Sequence, residues 1–147
     1  MSPRQGRSLA AHNFGLQIDG VLVEYLSEVS GLTIEQDVVV SPRNTAQGRM
    51  DLTVLPGVQR NGQCTVVRGV TQSASFTRWI NDSVNGRTGT ARKHASIVLM
   101  DHEDNPVRWY HLRNAWCSRI DVGTPQAGEG AVLTETVTIV FEELVIE

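Results

Sequence analysis

Alternation of apolar and polar residues runs through most of this sequence, and it predicts β-strands that each bury one face. From 14 to 18, for example, Phe14, Leu16 and Ile18 alternate with small or polar residues. The same period recurs in 21–29, 32–40, 95–100, 107–122 and 132–146. The chain is therefore expected to be mainly β, a two-sheet antiparallel β-sandwich or barrel of about seven strands.

Turn-forming residues separate these segments. Asp19-Gly20 is a strong hairpin-turn dipeptide, and Ser30-Gly31 predicts a turn or a bulge. The segment 103–106 predicts a second hairpin turn. The alternation changes phase near Asn114-Ala115, which indicates a bulge or bend inside one long strand.

One segment has a helical period instead, and it predicts a single short α-helix over about 74–84. Phe76, Trp79, Ile80 and Val84 would share one apolar face. Ser73 or Ser75 can cap its amino end, and Asn85-Gly86 can end it in the left-handed conformation. This helix is expected to cover an open side of the sheets.

The segment 41–62 interrupts the pattern and is predicted to be a long loop. Prolines and glycines punctuate it, and a loop of this length in a small domain is usually functional. Met50, Leu52, Val54 and Leu55 are nevertheless too apolar for a solvated loop. We expect them to be buried against this subunit or another one.

Composition excludes several classes of protein. The 147 residues fit one domain, 1–147, with 1–12 as a flexible arm. A net charge of −3 does not favour a nucleic-acid-binding protein. No apolar run approaches the roughly 18–20 residues that cross a bilayer, so no membrane anchor is expected. The amino-terminal segment lacks the apolar core of a secretory signal peptide.

Few residues offer chemistry. Cys64 and Cys117 are expected to be buried free thiols, and Glu135 interrupts an apolar strand face and needs a partner. A metal site is disfavoured because the spacing matches no known set of ligands; the residues considered were His102 and His111 with Asp101, Glu103 and Asp104. The loop 123–130 lacks the context of a phosphate-binding loop. The sequence predicts no catalytic residue and no cofactor.

An ordered set of short segments resembles a known family. Asn13 to Gly20, Ser27 to Leu32 and Leu55-Pro56-Gly57 come first, and the later segments are 67–69, 108–116 and 133–137. Their order and spacing resemble the tail tube proteins of contractile phage tails and of extracellular contractile injection systems. The resemblance spans about 13–144; the family often has proline after the tryptophan, where this chain has Trp116-Cys117.

The resemblance implies a structural protein. Such subunits form hexameric rings that stack into a hollow tube inside a contractile sheath, on a baseplate, and the lumen can hold protein cargo. The implied place of assembly is the bacterial cytoplasm, and the implied product is a phage tail or a released tail-like particle. The segment 41–62 would contact a neighbouring subunit or ring, through Arg43, Arg49, Met50, Leu52, Val54, Leu55 and Pro56.

Two further groups of residues complete the hypothesis. Glu24, Glu28, Glu35 and Asp37 lie on the polar side of their strands and are expected either to be solvated or to line the lumen, where they would repel anionic polymers. Phe14, Trp79 and Trp116 are expected to anchor the core. Two alternatives remain: a monomeric β-barrel that binds an apolar ligand, and a specialised subunit that initiates the tube as a single ring.

Overall fold

The computed structural model describes residues 13–69, 73–123 and 134–147. Within these ranges the chain forms ten strands and two helices. The strands are β1 (Asn13–Ile18), β2 (Val21–Leu26), β3 (Glu28–Thr33), β4 (Gln36–Asn44), β5 (Met50–Gln59), β6 (Gly62–Gly69), β7 (Lys93–Met100), β8 (Pro106–Val122), β9 (Thr134–Phe141) and β10 (Glu143–Ile146). The helices are α1 (Ala74–Val84) and α2 (Thr88–Ala91).

Eight of the strands form one antiparallel sandwich. Their hydrogen-bonded order is β2-β1-β7-β8-β9-β6-β3, with β10 also paired to β8. The long strand β8 belongs to both layers: its first part pairs with β7 and β10, and its last part pairs with β9. The prediction of a mainly β, two-sheet antiparallel fold is confirmed.

Strands change from one sheet to the other at local irregularities, as sandwich corners require. In β8 the ladder to β7 slips between Leu112 and Ala115, and Asn114 there has a φ of 51°. The bulge predicted near Asn114-Ala115 is therefore confirmed. A second corner lies at Ser27, between β2 and β3, where the Ser27 N–H donates to the Val67 carbonyl at 2.8 Å.

The predicted turns are present. Asp19 and Gly20 have φ values of 51° and 84°, the doubly left-handed backbone that matches a tight β-hairpin. Gly31 has a φ of 63° where the register between β3 and β6 slips. The turn between β7 and β8 is held by Asp101, whose carboxylate accepts from the backbone N–H groups of Glu103 and Asn105 at 2.9 Å.

Helix α1 matches the predicted segment. Ser73 caps it, because its hydroxyl accepts from the Phe76 N–H at 3.3 Å. Phe76, Trp79 and Ile80 are buried, but Val84 is exposed at the helix end. The short helix α2 was not predicted; its four residues are too few for a helical period to show.

The core lies between the two sheets and under α1. It is filled by alternate residues of the strands together with the helix side chains. The buried set is Leu16, Ile18, Leu26, Cys64, Val66, Phe76, Trp79, Ile80, Ala95, Ile97, Leu112, Ala115, Cys117, Val137, Ile139 and Phe141.

The two cysteines are buried free thiols, as predicted. Both pair across the ladder with Ile139 of β9, one from each side. Their Cα atoms are thus two strand spacings apart, roughly 9–10 Å, which is too far for a disulfide. Burial raises the pKa of Cys64 and of Cys117 to about 12, so neither thiol ionises near neutral pH.

The predicted loop over 41–62 is wrong for most of its length. Strands β4 and β5 pair with each other as a separate two-stranded sheet, and β6 begins at Gly62. Prolines are compatible with this ladder because each strand has a free outer edge that needs no N–H donor. Gly57 lies so close to Asp37 that a Cβ on it would be 2.8 Å from the Asp37 carbonyl oxygen. Pro42, Pro56 and Gly57 are thus part of an irregular hairpin rather than of a loop.

Candidate assembly surfaces

The hairpin of β4 and β5, which we call the ribbon, has one apolar face. Residues directly opposite each other in an antiparallel pair point to the same side. Val40 pairs with Val54, Pro42 with Leu52, and Val38 with Pro56. Because alternate residues share a face, all six lie together, and Met50 joins them at the tip.

The opposite face of the ribbon is more polar. Arg43 pairs there with Asp51, and Ser41 pairs with Thr53. Val39 and Leu55 form its only apolar pair near the base. At the base itself, the Arg60 guanidinium forms an ion pair with Asp37, and the Arg60 N–H donates to the Glu35 carbonyl.

The apolar face of the ribbon is open to solvent in the single subunit. Leu52 is 67% exposed and Val54 is 65% exposed, and Val38, Val40 and Met50 are exposed as well. An isolated two-stranded hairpin is marginally stable at best in water. A contiguous apolar face of this kind marks a surface that another molecule covers.

The cross-strand register places the predicted contact residues on both faces of the ribbon and in its turn. Met50, Leu52, Val54 and Pro56 share the apolar face, whereas Arg43 and Leu55 lie on the other one. Arg49 lies in the turn, where its N–H donates to the Thr45 hydroxyl at 3.1 Å. Sequence reasoning missed Val38 and Val40 as members of the same surface. The sequence shows their alternation along the strand, but it does not show that Val38 pairs with Pro56 and Val40 with Val54.

A buried ion cluster joins α1 to the sandwich. Arg68 of β6 is 2% exposed and donates to the Glu135 carboxylate from Nε at 3.0 Å and from Nη2 at 2.8 Å. Its Nη1 lies 3.7 Å from the Glu24 carboxylate. Glu24 accepts in turn from the Ser73 N–H at 2.8 Å, at the amino end of α1. The predicted need of Glu135 for a partner is thus met by Arg68.

The four lumen candidates have different environments. Glu24 is 9% exposed and belongs to the buried cluster, so its assignment to a lumen wall is wrong. The strand pattern alone could not show that α1 covers this side of β2. Glu28 and Glu35 are exposed, and Asp37 is partly exposed beside Arg60.

The three predicted core anchors also differ. Trp79 is 1% exposed, and its indole N–H donates to the Ala91 carbonyl of α2, which confirms the prediction. Phe14 is partly buried and packs against the core. Trp116 is 38% exposed, so its assignment as a core anchor is wrong. It lies beyond the β8 bulge that changes the phase of the strand, and Cys117 points inward in its place.

A polar row lies across β7, β8 and the end of the chain. His111 contacts the Ser96 hydroxyl with Nδ1 at 2.7 Å and the Glu147 carboxylate with Nε2 at 2.6 Å. Trp109 stacks on the His111 ring at a centroid distance of 5.9 Å. These contacts fix the end of β10. In the part of the chain that the structure describes, no group of three or more His, Cys, Asp or Glu could hold a metal ion.

Two earlier expectations fall on residues that the structure leaves out: the arm 1–12, and 124–130 of the loop disfavoured as a phosphate site. Among the described residues, neither helix is long and apolar enough to cross a membrane.

The fold is similar to those of several solved tube structures. A chain of the PVC sheath–tube complex, from an extracellular contractile injection system in the extended state, aligns with a TM-score of 0.73 at 18% identity, covering 100% of this chain and 98% of the other. A chain of the anti-feeding prophage tube-terminating cap aligns at 0.66 and 16%, covering 100% and 99%. Hcp1 from Flavobacterium johnsoniae aligns at 0.55 and 18%, covering 91% and 94%.

Sequence comparison gives the family directly. No curated protein matches this sequence. The family model of the T4-like virus tail tube protein gp19, however, matches residues 10–145, which is nearly the whole chain. Together with the sandwich, α1 and the ribbon, this match establishes that the chain belongs to the T4-like virus tail tube protein gp19 family.

Proposed function

We propose that this chain, a structural tube protein rather than an enzyme, is the repeating subunit of the inner tube of a phage tail or tail-like injection particle. As a single domain it forms hexameric rings, and the rings stack into a hollow tube. Contraction of the surrounding sheath drives this tube through a target envelope.

The ribbon is the observation that carries the proposal. Its apolar face is exposed in the single subunit, and in our proposal it packs against a different surface of a second copy. Contacts between unlike surfaces close into a ring when the rotation allows it and continue without limit along an axis. One small subunit can therefore build both a ring and a stack of rings.

The partners follow from the same role. The similar solved structures include a sheath–tube complex, a tube terminator and a baseplate. In our proposal the outer surface of the tube contacts a contractile sheath protein, and its first ring contacts baseplate proteins. Assembly takes place in the bacterial cytoplasm.

The lumen of the tube can hold protein cargo. Glu28 and Glu35 remain candidates for its wall, with Asp37 partly neutralised by Arg60. A tube map that places Glu28 and Glu35 on the outer surface would refute this assignment. Their carboxylates would give the wall a negative potential that keeps anionic polymers from binding to it.

Electron microscopy of the purified protein over a concentration series tests the main proposal. Six-fold rings and tubes of increasing length are expected as the concentration rises. Rings that never stack would favour a tube-initiating or terminating subunit, since a terminator and a cap share this fold. A strictly monomeric protein at every concentration would contradict self-assembly.

The monomeric ligand-binding barrel is disfavoured by the packing. Leu16, Ile97 and Leu112 in one sheet and Val137 and Ile139 in the other are fully buried and fill the space between the layers. A small-barrel protein that binds a ligand needs that space to be open. Mass spectrometry of the purified protein should therefore detect no stoichiometric small molecule.

A further inference from the structure

The sandwich has an apolar cleft of about 330 Å³ between β3 and β10, which we call the open mouth. Its floor and walls are apolar or aromatic; six of the eight side chains are partly buried, and Ile97 is fully buried. Ile146, at the rim, is 56% exposed. The residues used here are Val29 and Leu32 of β3, Leu144 and Ile146 of β10, and Leu99 and Tyr110 at the floor.

Both strands that border the open mouth end a sheet. Among the described residues, β3 pairs only with β6, and β10 pairs only with β8. Each therefore carries one row of backbone N–H and C=O groups without a ladder partner. Native proteins cover or pair such edges, because they accept another strand readily.

The ribbon has the complementary properties. Its strands pair only with each other in the described structure, so both outer edges are unpaired. One of its faces is apolar from Val38 at the base to Met50 at the tip, where Asn44 is the one polar residue. It can therefore supply apolar side chains to the floor of a cleft and a backbone edge to its border at the same time.

The ribbon does not occupy the open mouth of its own subunit. Only Ile34 and Glu35 separate β3 from β4, and the Arg60 N–H fixes the base of the ribbon by donating to the Glu35 carbonyl at 2.6 Å. The ribbon leaves the sandwich at this point and contacts it little. A contact between the two surfaces consequently requires two copies of the chain.

We propose that the apolar face of the ribbon of one copy seats in the open mouth of a second copy, with an outer strand of the ribbon pairing along the free edge of β3 or β10. Every copy offers one ribbon and one open mouth, so the contact passes from copy to copy. This inference rests on the proposed function and specifies which surface of the neighbour the ribbon meets.

Disulfide trapping between two populations tests the pairing. One population carries Val54→Cys on the ribbon, and the other carries Ile146→Cys at the rim, with tags of different size. The native thiols of Cys64 and Cys117 are buried and un-ionised, so they need not be removed. Mild oxidation of mixed assemblies should convert monomer into a mixed-tag dimer, which reduction reverses.

The matched control replaces Ile146→Cys by Val84→Cys, which has the same 56% exposure but lies on α1. It should give no mixed-tag dimer with Val54→Cys. Rings that form normally while the mixed dimer is absent, or is as abundant in the control, would overturn the docking and leave the proposed function intact. If Val54→Cys prevents ring formation, the experiment uses Val40→Cys instead, because Val40 is the cross-strand partner of Val54.

Failure of the proposed function gives a different result. In that case the unmodified protein forms no rings or tubes at any concentration. Assembly is therefore recorded by microscopy before each oxidation, and the disulfide pattern is read only from samples in which rings are present.

Discussion

The sandwich and the ribbon use the same alternating pattern for different purposes. In the sandwich, alternate residues such as Leu16, Ile97 and Ile139 are fully buried between two layers. In the ribbon, alternate residues such as Leu52 and Val54 point into solvent, because no second layer covers them. Alternation therefore predicts a strand with an apolar face, but not which molecule buries that face.

Apolar burial contributes to subunit stability in one region and to assembly in the other. Apolar burial in the sandwich and under α1 stabilises the folded subunit. In our proposal the apolar face of the ribbon is buried only between copies, so the free energy of that burial would contribute to assembly. Substitutions in the two regions should therefore separate subunit stability from ring formation.

The largest effect is expected in the ribbon. Leu52→Asp combined with Val54→Asp puts two carboxylates on its apolar face and should abolish rings and tubes, because charges would be buried without partners. The stability of the monomer should change by no more than about 0.5 kcal/mol, since both sites are exposed. Microscopy and urea unfolding measure the two effects. Val122→Asp, at a 64% exposed site in β8, is the control that should still form rings.

Trp79→Ala should produce the reverse pattern. Removing this buried side chain leaves a cavity under α1 and an unpaired Ala91 carbonyl, and should cost about 3–5 kcal/mol of subunit stability. Urea unfolding followed by far-UV circular dichroism checks this. Val84→Ala, at an exposed site of the same helix, is the matched control. An unchanged midpoint for Trp79→Ala would contradict the packing of α1 on the sandwich.

Arg68→Met should destabilise the subunit by about 3 kcal/mol, because it leaves Glu24 and Glu135 without their shared cation in a largely buried site. The triple change with Glu24→Gln and Glu135→Gln should recover part of this loss. Comparison of the two unfolding curves is the measurement. If the triple variant were no more stable than Arg68→Met, unpaired charge would not be the cause.

The smallest effect concerns the turn before β8. The backbone N–H of Asn105, and then that of Glu103, hold the pKa of Asp101 below the ordinary value of an aspartate. A carboxyl with a lowered pKa in the folded state stabilises the fold above its unfolded pKa, and that contribution disappears as the pH falls through the folded value. An NMR titration should give an Asp101 midpoint below the ordinary value of an aspartate. A midpoint at or above that value would show that the two hydrogen bonds are absent in solution.

Local features of the fold were predictable because their causes lie within a few residues. The Ser73 cap, the helical spacing of Phe76 and Trp79, and the left-handed turn at Asp19-Gly20 each depend on neighbouring positions in the chain. The bulge at Asn114 could be predicted for the same reason.

Long-range pairing was not predictable in the same way. Punctuation by Pro42, Pro56 and Gly57 indicated a loop, but the cross-strand register of β4 and β5 tolerates all three. Glu24 was assigned to a solvated face because nothing near it in sequence shows that Arg68 and Ser73 approach it. The assignment of Trp116 to the core is wrong because pairing with β9 sets the phase of β8 after the bulge, and the sequence does not show that pairing.

Most of the strands, α1, the turns and the resemblance to tube proteins could be predicted from the sequence, since alternation, capping and turn chemistry act over short distances. Three features became visible only in the folded chain: 36–59 forms a ribbon with one apolar face, Arg68 pairs with the carboxylates of Glu24 and Glu135, and β3 and β10 border an open cleft. These features depend on strand register and on the packing of distant segments, and a one-residue change of register would reverse every face.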